Sequence, residues 1–248
     1  MPSPSPLDLL VRKFDDHVHL DAADKAAITD LPFTMRGSSA GRFIVREGDV
    51  PSGCAVIVEG FAARHKLVQT GARQIVSIHI PGDALDLQHL FLDCADHSVT
   101  ALTDVTLATI PRLALQELAM ARPAIAHAVA ISNQIEASIF REWIVNVGRR
   151  DAKTRLAHLL CEFAIRLTQR GLASDEGFAL PMTQEQIGDA TGLTSVHVNR
   201  TLRLLEEEGW IERDKRAVRF SNWDRMRSMA GFNPLYLHLG RQAAAARA

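Results

Sequence analysis

The chain has 248 residues, 47% of them hydrophobic and 23% charged, an ordinary globular composition and long enough for two domains. It lacks an apolar run long enough to span a bilayer, and its start, Met1-Pro-Ser-Pro-Ser-Pro6, lacks the basic and apolar parts of an export signal. Those features predict a cytoplasmic protein with a short disordered tail and no membrane partner. The net charge of -1 conceals an asymmetry: residues 1–147 hold 12 Lys/Arg against 17 Asp/Glu, and residues 148–248 hold 16 against 12. A basic second part suits phosphate binding by that part alone.

Leu7, Leu10, Val11 and Phe14 recur at helical spacing, and a second short helix is expected over Ala22–Leu31 with Asp21 as its N-cap. From Phe33 to Ile110 short apolar runs alternate with turn residues: Phe43–Val45, Ala55–Val58, Ile75–Ile80 and Val105–Ile110, punctuated by Gly48-Asp49, Gly60, Gly71 and Pro81-Gly-Asp83. That rhythm predicts a small antiparallel sandwich or barrel, with Leu85–Phe91 as a short helix inside it.

Leu113–Met120 reads as one helix, and Pro123 suits the first residue of the next. Ile125, Val129, Ile131, Ile135, Ile139, Trp143 and Val147 form an apolar stripe along it. A helix this long exceeds the needs of one small domain, so its face is expected to serve its own sheet and a second copy. Gly148-Arg-Arg-Asp151 should break the helix, and Asp151 should cap another over Ala152–Thr168.

The densest local pattern spans Met182–Leu205. Thr183 and Gln186 fit a capping box; Gly188 is small where two helices must approach; Gly192 suits a tight interhelical turn; Thr194 can cap the second helix. This is a helix-turn-helix. Val198, Leu202 and Leu205 fall on one face of the second helix and should be buried; Ser195, Val196, Asn199, Arg200 and Arg203 fall on the other. Arg200 is the candidate for a bidentate guanine contact, Asn199 for adenine or phosphate, Val196 for a thymine methyl, and His197 for the backbone. Trp210–Arg213 and Ala217–Phe220 read as a β-hairpin wing whose Arg213, Lys215, Arg216 and Arg219 offer phosphate contacts.

The order of these parts resembles the Crp–Fnr superfamily of bacterial transcription regulators over about residues 7–223. The segments that carry it are Val45-Arg-Glu-Gly-Asp49, Val56-Ile-Val-Glu-Gly60, Pro81-Gly-Asp83, the long helix, Asp151 with Arg155-Leu-Ala157, and the helix-turn-helix. The resemblance implies an α+β protein: an N-terminal β jelly-roll (double-stranded β-helix) sensor domain in 1–122, a dimerisation helix and hinge in 123–150, and a C-terminal winged helix-turn-helix domain with a tail in 151–248. It implies a homodimer on double-stranded DNA with a two-fold symmetric operator, with RNA polymerase as a candidate partner.

The effector does not transfer. Members that bind cyclic AMP hold the ribose with a Gly-Glu pair and the phosphate with an Arg-Ser pair; the corresponding places here are Asp86-Leu87 and His97-Ser98. Asp86 retains a carboxylate for a ribose hydroxyl, but His97 lacks the fork of arginine. Phe140 and Arg141 stand where the family makes polar adenine contacts. Cyclic AMP is therefore not expected, and neither is an iron–sulfur cluster, since no cysteine precedes Cys54. A haem- or redox-responsive sensor, drawing on His65, His79, His89, His97, Cys54 or Cys94, stays open beside an effector-independent DNA binder. Where familiar members read cytosine with an acidic residue, this helix has Val196, so a different operator is expected.

Outside that resemblance, the odd count of Cys54, Cys94 and Cys161, without a CxxC pair, excludes a disulfide framework and a Cys-only zinc site. A sensor module with a protein partner and a degenerate DNA domain is disfavoured by the preserved caps and basic wing. No Walker loop, GxSxG or HExxH is present, so no enzyme is expected. Asp15-Asp16-His17-Val-His19 reads as solvated polar sequence rather than a metal site.

Overall fold

The computed structural model describes residues 5–174 and 177–239; most of the N-terminal tail (residues 1–4) and the last residues of the C-terminal tail lie outside this range. The chain divides into two compact units. One takes in the chain up to His65, Ile78–Ser138 and the stretch from Leu237; the other takes in Lys66–Ser77 and Ile139–Tyr236.

The first unit opens with helices α1 (Asp8–Asp15) and α2 (Ala22–Thr29). Asp21 caps α2 as expected, in a capping box completed by Asp24. Asp15, from the suspected polar cluster, accepts from the Leu20 N–H and from Lys25 Nζ, so it serves the local fold.

Eight strands follow: β1 (Thr34–Ser38), β2 (Phe43–Val45), β3 (Gly53–Glu59), β4 (Ala62–Leu67), β5 (Arg73–His79), β6 (Ala84–Leu85), β7 (Ser98–Ala101) and β8 (Val105–Pro111). They form two four-stranded sheets, in the orders β1-β8-β3-β6 and β2-β7-β4-β5. β1 and β3 both pair antiparallel with β8, and β2 and β4 both pair antiparallel with β7, the crossed order of a jelly roll.

Alternation along β3 divides two cores. Ala55 and Ile57 face inward with Ala62, Leu85, Val99, Ala101, Val105 and Leu107. Cys54 and Val56 face outward with Leu7, Leu10, Phe14, Ile28, Ile110 and Leu115. The N-terminal helices thus cover the outer face of one sheet, joined there by α3 (Arg112–Ala121) and the start of α4 (Pro123–Arg149). The expected helix over Leu85–Phe91 is instead a strand end and a 3-10 turn, Leu87–Leu90, because Leu85 is pinned to Ala55 of β3.

Pro123 begins α4 as expected, and the helix ends within the expected Gly148–Asp151 break, at Arg149. Asp151 then caps α5 (Ala152–Gln169) by accepting from the Thr154 N–H. The second unit continues with β9 (Phe178–Ala179), α6 (Gln184–Thr191), α7 (Ser195–Glu207), the hairpin β10 (Ile211–Asp214) and β11 (Ala217–Phe220), and α8 (Trp223–Met229). The three strands form one sheet in the order β10-β11-β9. Among the described residues no helix is long and apolar enough to cross a membrane.

Candidate nucleic-acid interface and sensor pocket

The helix-turn-helix forms for the reasons its sequence suggests. Thr183 Oγ1 accepts from the Gln186 N–H while Gln186 Oε1 accepts from the Thr183 N–H, closing the capping box on α6. Gly192 ends α6 with φ 66°, the left-handed conformation in which glycine carries no Cβ penalty. Gly188 meets the turn so closely that a Cβ there would lie 2.4 Å from the carbonyl oxygen of Leu193. The Leu193 N–H in turn donates to the Gly188 carbonyl at 3.0 Å. Thr194 caps α7 by accepting from the His197 N–H.

α7 is sharply two-sided. Val198, Leu202 and Leu205 are buried, joined by Thr201, whose hydroxyl donates to the His197 carbonyl. Ser195, Val196, Arg200 and Arg203 are exposed, Val196 at 79%, while His197 and Asn199 are half-buried. Arg200 and Arg203 have no ion pair among the described residues.

The wing is an antiparallel hairpin whose two-residue tip is Lys215-Arg216, both exposed, with Lys215 at φ 53°. Not all of its cations are free for phosphate. Arg213 pairs with Glu206 at 2.6 Å and Arg219 with Glu212 at 2.7 Å, which leaves Lys215 and Arg216 as the hairpin's unengaged charges.

The helices beneath are cross-braced by groups the sequence did not reveal. Arg155 donates to the Thr191 carbonyl at 2.6 Å and to the Arg150 carbonyl at 2.9 Å, satisfying carbonyls at the ends of α6 and α4. Asn146 donates to the Arg155 carbonyl. Buried Glu162 of α5 accepts from Trp143 Nε1 at 2.9 Å and from the Tyr236 hydroxyl at 2.8 Å, and burial raises its carboxyl above the usual range.

The expected effector positions divide among the units. Phe140, half-buried, and Arg141, exposed, lie on the stretch of α4 assigned to the second unit. Leu87 belongs to the outer core of the roll, and the Ser98 hydroxyl accepts from the Glu47 N–H. Asp86 and His97 come together. Asp86 Oδ1 accepts from Arg64 at 2.7 Å and from His97 Nε2 at 2.8 Å. One of its oxygens is thus engaged in an internal ion pair, the residue is buried at φ 63°, and Oδ2 accepts no hydrogen bond.

Burial opposes charge on both partners, and both are held charged against it. The His97 hydrogen bond and the Arg64 guanidinium keep Asp86 well below the usual carboxylate range. Hydrogen bonds to Asp86 and to Asp96, the latter at 2.6 Å, raise His97. Arg64 reaches on to Glu136 of α4 at 2.7 Å. This arginine lies on β4, a strand the sequence pattern does not show, and joins Asp86 to Glu136; its only signal is the alternation of Ala62 and Arg64 along β4. Burial pushes the Cys54 thiol up to about 12, so it is not poised as a thiolate, and its Sγ donates to the Leu85 carbonyl.

A jelly roll joined through a long helix to a winged helix-turn-helix with an exposed cationic reading face defines a DNA-binding transcription regulator. Residues 36–122 match the model of the cyclic nucleotide-binding domain, and residues 154–229 that of the Crp-like helix-turn-helix domain. The chain is 31% identical over 196 residues to the nitrogen fixation regulation protein FixK of Bradyrhizobium diazoefficiens, covering 77% of this chain and 79% of that one. It is 27% identical over 215 residues to the transcriptional activator protein FnrL of Cereibacter sphaeroides, covering 85% and 86%. The solved structure of FixK2 from Bradyrhizobium japonicum superimposes with a TM-score of 0.73 at 25% identity, covering 80% of this chain and 98% of that one. The chain belongs to the Crp–Fnr superfamily of transcription regulators.

Proposed function

We propose that the chain works as a homodimer that reads a two-fold symmetric operator through α7 of each copy and needs no cyclic nucleotide to do so. The observation that carries this reading is the free outward face of α7. Arg200 and Arg203 stand exposed and unpaired on a helix whose opposite face is fully buried. In such readers the two recognition helices enter successive major grooves about 34 Å apart. Arg200 has the fork to take guanine O6 and N7, Val196 the methyl groups for thymine, and Asn199 the amide for adenine. Ser195, His197, Thr183, Thr194, Arg203, Lys215 and Arg216 surround them as backbone contacts that fix register.

The dimer reading rests on α4. Ile131, Ile135 and Ile139 recur every four residues and are only half-buried. A second copy packed along this face would bury them.

The chemistry of the pocket does not fit a cyclic nucleotide. A buried phosphate needs a cation, and the buried arginine is already held by Asp86 and Glu136. Asp86 Oδ2 accepts no hydrogen bond, so an incoming phosphate would meet a carboxylate oxygen where it needs a donor.

Sedimentation of the protein with a palindromic duplex carrying its preferred sequence tests the reading. Two chains per duplex, with an affinity that saturating cyclic AMP leaves unchanged, are expected. One chain per duplex, or tighter binding on adding cyclic AMP, would overturn it.

A further inference from the structure

The roll holds a charged cluster apart in the chain from the helix-turn-helix. Arg64 is the one buried arginine among the described residues, at 3% exposure. Its guanidinium joins two separate elements: one nitrogen donates to Asp86 Oδ1, at the head of the 3-10 turn, and the other pairs with Glu136 Oε1 of α4, each at 2.7 Å. Removing a guanidinium from water costs several kcal/mol, and only well-placed partners on both prongs offset it. The planar fork of arginine can hold two carboxylates at fixed angles, which lysine cannot. His97, braced by Asp96, holds Asp86 from its other side. Asp86 itself sits in a left-handed backbone conformation that a non-glycine residue occupies at a cost. A charge, its two anchors and a strained residue have thus been placed where the roll meets α4, and α4 continues without a break to Arg149.

We propose that Arg64 is a positioning residue for DNA reading: a built-in cation that fixes α4 to the roll and does permanently what a bound effector would do on demand. The proposal rests on the reading of α7 as the DNA-contacting helix. Arg64 touches no DNA; it acts through Glu136 and the helix that carries it. The roll with Arg64 in place is set for binding, and the chain reads its operator with nothing added. Without the guanidinium, Glu136 would lose its partner on the roll and Asp86 would keep only His97, so the roll would lose this tie to α4.

Two variants and one small cation test this. Arg64→Ala should bind the selected operator about tenfold more weakly than wild type, within the usual range for coupling between sites. Methylguanidinium, which can refill the vacated place, should restore most of the loss, while sodium chloride at equal ionic strength should not. Such rescue separates a positioning charge from general damage to the roll. Glu136→Gln keeps the Arg64–Asp86 pair and removes only the negative charge of the partner on α4; it should weaken operator binding in the same direction while the chain still unfolds in one cooperative transition. This variant decides the matter if Arg64→Ala fails to fold. Wild-type affinity in Glu136→Gln, or an Arg64→Ala protein that binds as wild type or is not rescued, overturns the proposal while leaving the DNA reading intact. A wild type that binds only after a ligand is added overturns it too. A wild type that selects no duplex overturns the DNA reading itself, and with it the role of the strut.

Discussion

Trp143 near the end of α4 donates its indole N–H to Glu162 of α5 at 2.9 Å, inside the unit that carries α7. Both residues are buried, and the Tyr236 hydroxyl closes the other side of the carboxylate. Trp143→Phe retains most of the packing but leaves a buried acceptor one donor short, which typically costs ~1–3 kcal/mol. We expect that loss in urea unfolding followed by tryptophan emission, which reports this unit alone because Trp143, Trp210 and Trp223 all lie within it. Unchanged stability in Trp143→Phe would mean that the hydrogen bond contributes nothing net.

The two glycines of the helix-turn-helix should differ in kind. Gly188→Ala forces a Cβ against the Leu193 carbonyl, a rigid backbone atom, and overpacking of that sort costs ~1–3 kcal/mol. Gly192→Ala meets a movable side chain, Val147 at 3.3 Å, which must give slightly, and adds the left-handed backbone penalty of ~1–2 kcal/mol. Gly188→Ala should therefore be at least as destabilising, and Gly188→Val more so. Operator binding should fall with it, since the same contact sets the angle of α7. A Gly188→Val protein that binds as wild type would show that the turn can open without consequence.

Acid should weaken the roll. His79 is fully buried; burial first, and then the Arg64 charge, lower it from its usual value to about 4, despite Glu136, Asp83 and Asp86 nearby. The folded chain thus refuses a proton that the unfolded chain takes up, so stability is fully present above about 6.5 and falls away as the pH drops toward 4. A depression of that size is worth about 3 kcal/mol. Asp86 adds a further loss of the same sign below the ordinary carboxylate range. His97 acts oppositely: its raised value adds stability at low pH that is withdrawn as the pH climbs through that value. Urea titrations at pH 7 and pH 4.5 should show the net fall, and His79→Gln, which cannot titrate, should show less of it. An equal fall in the variant would place the acid sensitivity elsewhere.

Much of this was legible in the sequence because the determinants are local. Caps such as Asp21, Thr183 and Thr194, and the pairing of Gly188 with Gly192, act within a few residues of themselves, so spacing alone exposes them. What escaped depends on partners distant in the chain. Arg64 lies on a strand written Ala-Ala-Arg-His, whose short polar pattern resembles a loop, and its meaning appears only when Asp86 and Glu136 arrive from elsewhere. Arg213 and Arg219 read as free phosphate contacts because nothing in the pattern shows that Glu206 and Glu212 hold them. The Gly148–Asp151 break was legible for the same local reason: α4 ends at Arg149 and Asp151 caps the next helix.

The wing and the reading helix should separate in salt dependence. Lys215→Ala removes a phosphate contact, so binding should weaken on all sequences alike, and the slope of log affinity against log salt should shrink by about one. A variant that instead alters which bases are preferred would move Lys215 from the backbone to a base edge.

The most direct measurement is selection from random duplex DNA by the purified protein, repeated with Arg200→Ala. We expect wild type to enrich a two-fold symmetric motif without added ligand. The variant should lose discrimination at one symmetric pair of positions by about 1–3 kcal/mol per contact, while its nonspecific binding persists. An identical motif in both proteins, or no enrichment by wild type, would contradict the assignment of α7 as the element that reads DNA.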